Sequence, residues 1–377
     1  NLHNITHHML KLYDWIDENK AKLNWRLLSF NPNATSLLEK KPEKIVWDNL
    51  SQNTGEGAIA LLAKHPENIN WEYLCANVGI GVGAISLLAK YPQKLNKACW
   101  NALSRNPNAV SLLEQNPEKI NWMQISFNPN AVHLIEKQLE ENPQKIYWRG
   151  LVENPSAIHL LAQHPEKISD WFWLSRNPSA IPLMEKYPEK MDWWSAMLNP
   201  NAVCLFETNP DKINWKLLTL NKSPNIIPLL ENNFEEIYWE YLSFHSDAIS
   251  LLENNIDKLN GECWINLASN ANAISLLQKH PEKINERCLY ELTSNPNPDA
   301  ISLLEKHKQK MDDSCWNRIS RNPGIFTYDY DAMRERCLTF KEDLIRERFH
   351  PRNLGKFHDW GIDGFDSDWE DEEDYGN

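Results

Sequence analysis

The chain has 377 residues, enough for two or three ordinary domains or for one long repeat array. Charged residues are 24% and aromatic residues 10%, which excludes a disordered chain, and no apolar run approaches the roughly 18 to 20 residues a membrane span needs. The net charge of -13 is uneven: nine acids and no Lys or Arg follow Lys356, and the rest is close to neutral, so neither part has the clustered cations of a nucleic-acid-binding surface.

Residues 1–15 show no continuous apolar stretch of the signal-peptide kind. Residues 9–21 carry Leu10, Leu12, Tyr13, Trp15 and Ile16 and read as an N-terminal capping helix, which closes a first segment, 1–21.

From residue 22 to 326 one unit recurs: W-x-x-L-S-x-N-P-N-A-I-x-L-L-E-K-x-P-E-K-I-N. Its anchor is Trp25, Trp47, Trp71, Trp100, Trp122, Trp148, Trp171, Trp193, Trp215, Trp239, Trp264, Leu289 and Trp316, thirteen repeats in all. Twelve of the thirteen have Asn six residues later, and the exception is His245. The step averages about 24 residues. Each position has a physical reading. The Asn caps a helix start, as at Asn31, Asn106, Asn128, Asn154, Asn177, Asn199, Asn270 and Asn322, and Pro follows where no amide is needed. In Ala109, Val110, Leu112 and Leu113 the apolar residues form one stripe at helical spacing. The exit is Asn, His, Tyr or Lys followed by Pro, as in Asn116-Pro117 and His164-Pro165. A second, short helix then carries the anchor.

Four repeats hold three extra residues before the anchor, about one helical turn, with Cys directly preceding it: Cys99, Cys263, Cys288 and Cys315. Cysteines locked to a repeat position read as core residues rather than disulfide partners, and a reducing, intracellular setting is expected. One helix pair cannot bury its own apolar face, but stacked neighbours can. The expected fold is all-α: an elongated α-solenoid of about thirteen short helix-pair repeats, with the twelve Trp anchors as a continuous core. On that reading Trp122→Ala costs about 3 to 5 kcal/mol.

After Trp316 the pattern breaks. Residues 327–356 read as a C-terminal capping helix with Met333, Leu338 and Leu344, and residues 357–377 as an acidic, disordered tail. In that tail Trp360, Phe365 and Trp369 stand among acids that include Asp371 and Glu372, the composition of a short recognition motif, so these five are the candidate partner-binding residues.

The repeat resembles the Trp and Asn-Pro-Asn-Ala repeats of uncharacterised proteins of nucleocytoplasmic large DNA viruses, of the mimivirus-like and chlorovirus-like kind. Ile120-Asn121-Trp122 and Asn128-Pro129-Asn130-Ala131 carry the likeness, as do Lys341-Glu342-Asp343-Leu344-Ile345 and His350-Pro351-Arg352 near the end. In spacing the unit is also similar to the leucine-rich-repeat variant, an all-helical solenoid. The first resemblance implies a viral protein placed in the host cytoplasm or the virion, and neither implies an activity.

No residue set spells out catalysis, a metal or a cofactor. His65, His164, His280 and His307 all occupy the helix-exit position, and the His7-His8 pair has no acid or Cys at ligand spacing. Residues 79–84 imitate a nucleotide loop with Gly79, Gly81 and Gly83, but they replace Asn-Pro-Asn-Ala in the third repeat and read as a widened loop. The expectation is a non-enzymatic protein–protein interaction scaffold whose partner is a host or viral protein. The alternative is a minor capsid or core-associated component of the virus particle.

Overall fold

The computed structural model describes residues 10–79 and 81–348. It divides into a body that ends at Thr327 and a second unit that begins at Tyr328. The body is an all-α repeat solenoid, as its sequence pattern requires.

The repeat builds itself from local bonds. In the fifth, Asn121 Oδ1 accepts from the Met123 and Gln124 amides at 3.1 and 3.2 Å and starts the anchor helix Trp122–Ile125. A turn at Asn128 leads to the second helix, Val132–Glu141, and Pro143–Lys145 forms one 3₁₀ turn before the next anchor. The pieces are too short to stand alone in water, so packing between repeats must hold them.

That packing is aliphatic. The residue three after each anchor is fully buried, from Leu28 and Leu50 through Ile125 and Leu151 to Leu292 and Ile319. From the second helices come Leu38, Leu62, Leu88, Leu113 and Ile135, also fully buried. The Trp anchors are not the spine expected of them. Trp25, Trp47, Trp71, Trp122, Trp148, Trp171, Trp193, Trp215 and Trp239 are half-buried and lie against this core. Only Trp100, Trp264 and Trp316 are buried, together with Leu289. Those four are the repeats with the extra turn. There the anchor helix starts three residues earlier, as in Lys97–Arg105 and Gly261–Ser269, and that turn covers the anchor.

The extra turn also explains the cysteines. In several short repeats the amide just before the anchor bonds to a serine of the preceding repeat, as Asn121 N does to Ser104 Oγ at 3.0 Å, and Asn214 N meets Met197 Sδ at 3.2 Å in the same way. In long repeats that amide lies inside the helix, capped by Asn96, Asn260, Asn285 or Asp312. A thiol then stands at the position: Cys99 meets the Cys75 thiol, and Cys263 meets Ser243. Burial pushes the Cys75, Cys263 and Cys288 thiols up, and it pushes Cys315 up to about 11 with help from Asp312. All seven cysteines are free thiols, and only Cys204 and Cys337 are exposed. A thiol reagent at pH 8 is therefore expected to modify two cysteines per folded chain quickly and the other five only on unfolding. A fast phase of more than two would contradict the burial of the repeat-locked set.

The asparagine six after the anchor does more than cap. Its Oδ1 accepts from the amide two residues on, while its Nδ2 crosses to carbonyls of the preceding repeat. Asn128 Nδ2 donates to Ser104 O at 3.1 Å and Asn106 O at 2.9 Å, and Asn128 Oδ1 accepts from Asn130 N at 3.0 Å. The same arrangement recurs along the register, among others at Asn53, Asn154, Asn199, Asn270 and Asn322. His245 fills the one gap with a ring of two different nitrogens. Nδ1 accepts from Asp247 N at 3.1 Å, which leaves Nε2 to donate to Ser223 O at 3.2 Å.

The ladder does not end at repeat 13. Asn31 Nδ2 donates to Ser320 O at 3.1 Å and Asn322 O at 2.9 Å, the same pair of bonds that Asn128 makes to its own predecessor. Asn24 N donates to Ser320 Oγ at 2.9 Å, and Asn33 Nδ2 to Pro323 O at 3.0 Å. The strands β1 (Leu10–Leu12) and β2 (Phe326–Tyr328) form a two-stranded sheet, and Trp15 packs edge-on against Trp316 at 5.8 Å. Repeat 13 is thus the neighbour of repeat 1, and the thirteen repeats form a closed circuit.

Closure changes the reading of the ends. The sequence predicts one capping helix in residues 1–21; the described part is the strand β1, a five-residue helix Asp14–Glu18 and the start of a 3₁₀ turn, Lys20–Lys22. The apolar face of repeat 13, expected to need a cap, is covered by Trp15, Ile16 and repeat 1. The second unit carries the expected helix, Tyr330–Arg348, and Asp329 Oδ1 accepts from its Ala332 amide at 3.1 Å.

Candidate interaction surface

Positions one and five after the anchor mostly face outward on the anchor-helix side, and position two is mostly half-buried beside them. The exposed large apolar side chains of the body gather on this helix and the turn after it. Tyr73, Val78, Met123, Phe172, Trp194, Leu220, Tyr238, Phe244 and Tyr290 all lie between the residue before an anchor and the seventh after it. The second helices present another chemistry. There the outward side chains pair from repeat to repeat: Lys64 with Glu39, Lys279 with Glu253, His133 with Glu114 at 2.9 Å and His159 with Glu136 at 2.7 Å. Repeat-to-repeat pairs occur on both sides, Arg287 with Glu262 among them on the anchor-helix side, but the exposed large apolar side chains lie on the anchor-helix side.

The apolar side is densest in repeats 7 to 10. Trp194 is 58% exposed, Phe244 54% and Phe172 42%, with Leu220 and Tyr238 beside them in sequence register. Cations stand over rings across the same side: Arg105 over Phe127 at 4.7 Å, Arg176 over Trp173 at 5.5 Å, Lys216 over Tyr241 at 5.6 Å and Arg321 over Phe30 at 4.8 Å. Two clefts open beside such pairs at equivalent register. One of about 610 Å³ is lined by Arg105, Phe127, Gln124 and Pro129. The other, about 690 Å³, spans the seam and is lined by Leu27, Asn317, Arg318 and Arg321. The Arg321–Phe30 pair bridges repeats 13 and 1 as Arg105–Phe127 bridges 4 and 5, so closure continues the surface as well as the core.

Other sequence candidates fall into structural roles. The eight expected cap residues do accept from the amide two residues on, as Asn106, Asn177 and Asn322 show at 3.0, 3.0 and 2.8 Å. His65, His164 and His280 each pack against the anchor ring of their own repeat, Trp47, Trp148 and Trp264, at 5.1 to 5.2 Å. Tyr91 and Tyr187 do the same to Trp71 and Trp171. Among the described residues no group of three or more His, Cys, Asp or Glu is placed to hold a metal ion. Gly79 lies tight against Thr54 of the preceding repeat, where a Cβ would collide with the Thr54 side chain, so packing accounts for it. Trp360, Phe365, Trp369, Asp371 and Glu372 lie outside the described residues, as do His7 and His8.

Among the described residues no helix is long and apolar enough to cross a membrane. The fold and surface define an all-α repeat protein with one apolar, cation-studded side. No family model, curated protein or solved structure matches the chain.

Proposed function

We propose that this protein is a non-enzymatic scaffold or adaptor that binds a protein partner through its anchor-helix side. The observation that carries this reading is the segregation of the exposed large apolar side chains of the body onto that side. Large exposed aromatics in a packed repeat frame are the side chains from which binding energy is usually drawn. The resemblance to repeat proteins of large DNA viruses supports action in an infected cell, in the host cytoplasm or in the particle. The second reading, a structural component of the particle, rests on that resemblance alone.

A photo-cross-linking amino acid placed at Phe172 or Phe244, and at the exposed Glu207 on a second helix, tests this in infected cells. One discrete adduct from the two anchor-helix positions and none from Glu207 is expected. Equal adducts from all three would refute the one-sided surface. Adducts with abundant particle proteins alone would favour the structural reading.

A further inference from the structure

We propose that the anchor-helix side of repeats 7 to 10 takes an acidic partner segment, one that intersperses carboxylates with large apolar side chains. The inference rests on the scaffold reading and adds the chemistry of the partner. It comes from an imbalance in how charges on this side are satisfied. Its carboxylates are mostly engaged: Asp48 accepts from Asn70, Glu72 from Asn96 and Glu240 from Asn260, and Glu291 pairs with Arg318. Glu153 is the remaining acid at these positions.

Arg149 pairs with Asp170 at 3.5 Å, but other cations on this side are engaged differently. Among the described residues Arg176 and Lys216 meet aromatic rings and no carboxylate, and the same holds for Arg105 and Arg321. A cation over a ring gains only about 0.5 to 1 kcal/mol at an exposed site and keeps its charge available. A carboxylate approaching from solvent can add a charge-assisted bond without breaking an existing ion pair. In repeats 7 to 10 these two cations share the anchor-helix register with exposed Phe172, Trp194, Leu220 and Phe244. Burying those side chains requires apolar groups from the partner, and satisfying the cations requires acids. A basic segment would place like charge against Arg176 and Lys216, which disfavours the wrong partner as much as acids favour the right one.

The test is selection of a phage-displayed library of random peptides about sixteen residues long on the immobilised full chain. Fluorescence anisotropy of the enriched peptides, made synthetically, follows. Enrichment of Asp and Glu with Trp, Phe or Leu is expected. Affinity is expected to fall about tenfold or more in Arg176→Glu/Lys216→Glu and in Trp194→Ser/Phe244→Ser, and to stay unchanged in Glu207→Lys. It is also expected to weaken as salt rises. All altered positions point to solvent or rim the surface, and circular dichroism confirms each fold, with Phe172→Ser as the substitute apolar variant. Neutral or basic peptides lost only in the Trp194/Phe244 variant would overturn the acidic class and leave the surface standing. No enrichment, or binding indifferent to both double variants, would overturn the site.

Discussion

Asn128→Asp is expected to destabilise repeats 4 and 5 by about 4 kcal/mol or more at pH 7, although it replaces one amide by an isosteric carboxylate. Asn128 is fully buried and spends both Nδ2 hydrogens on carbonyls of the preceding repeat. Asp retains the acceptor for the Asn130 amide but loses both donors. Each stranded buried carbonyl costs about 1 to 3 kcal/mol, and the new charge faces two carbonyl oxygens in a site closed to water. Asn130→Asp is the control: its Nδ2 bond to Pro107 O is exposed, and its loss is expected to cost under about 1 kcal/mol.

Because each repeat leans on its neighbours, the loss should appear first as faster amide exchange in repeats 4 and 5. The pH dependence has a definite sign. The buried site disfavours an anion, so the introduced carboxyl has a folded-state pKa above its unfolded value. The variant's deficit relative to the parent then shrinks as pH falls through that folded pKa, because a protonated carboxyl can donate one bond again. Equal urea midpoints for the two variants would remove the ladder from the account.

Trp316→Ala is expected to cost about 3 kcal/mol, and Trp122→Ala clearly less, about 1 to 2 kcal/mol. The two residues hold the same repeat position, but only Trp316 is enclosed. It is 2% exposed, with Trp15 edge-on at 5.8 Å and Lys22 Nζ 5.1 Å from its ring centre. The estimate sits at the low end for a buried Trp because both indole N–H groups of this pair are buried without a hydrogen-bond partner among the described residues. Removing one relieves a desolvation cost that offsets part of the lost packing. Trp122 is half-buried and gives up less surface on truncation. Paired thermal or urea melts decide it. A larger loss at Trp122 would return the anchors to the core role their periodicity suggests.

The repeat register, the helix pairs and the caps were legible because each leaves a fixed residue type at a fixed spacing. Asn-Pro at 106–107 announces a helix start in any context. Burial of the anchors was not legible, since Trp at a fixed position looks the same whether enclosed or flanking. The clue lay in the three extra residues before Trp100, Trp264 and Trp316, which add the turn that encloses them. The crossing bonds of Nδ2 were hidden because capping alone already explains an asparagine.

Closure leaves no motif of its own, only the absence of any change at the ends. Repeat 1 carries the same Asn31 and repeat 13 the same Ser320 as interior repeats, which in hindsight is the signal: an end that needs a cap has no use for an interior bonding set. The outward anchor-helix positions were visible only as variability. Which of them form one surface depends on stacking, through ladder bonds such as Asn199 to Ser175 and Asn221 to Met197.

The central claim is that thirteen repeats close on themselves, and the most direct measurement is the distance across the seam. Nitroxide labels at Arg26 and Asn317, both exposed, are introduced in a chain whose two exposed cysteines, Cys204 and Cys337, are replaced by Ser. Asn24 Nδ2 lies 2.9 Å from Asn317 Oδ1, so pulsed dipolar spectroscopy is expected to give one narrow, short distance of roughly 10 to 25 Å, little more than the linkers themselves span. Helix pairs stacked about 8 to 10 Å apart in an open row would place the same labels on the order of 100 Å apart, beyond detection. A narrow short distance supports the closed circuit, and a decay without one contradicts it.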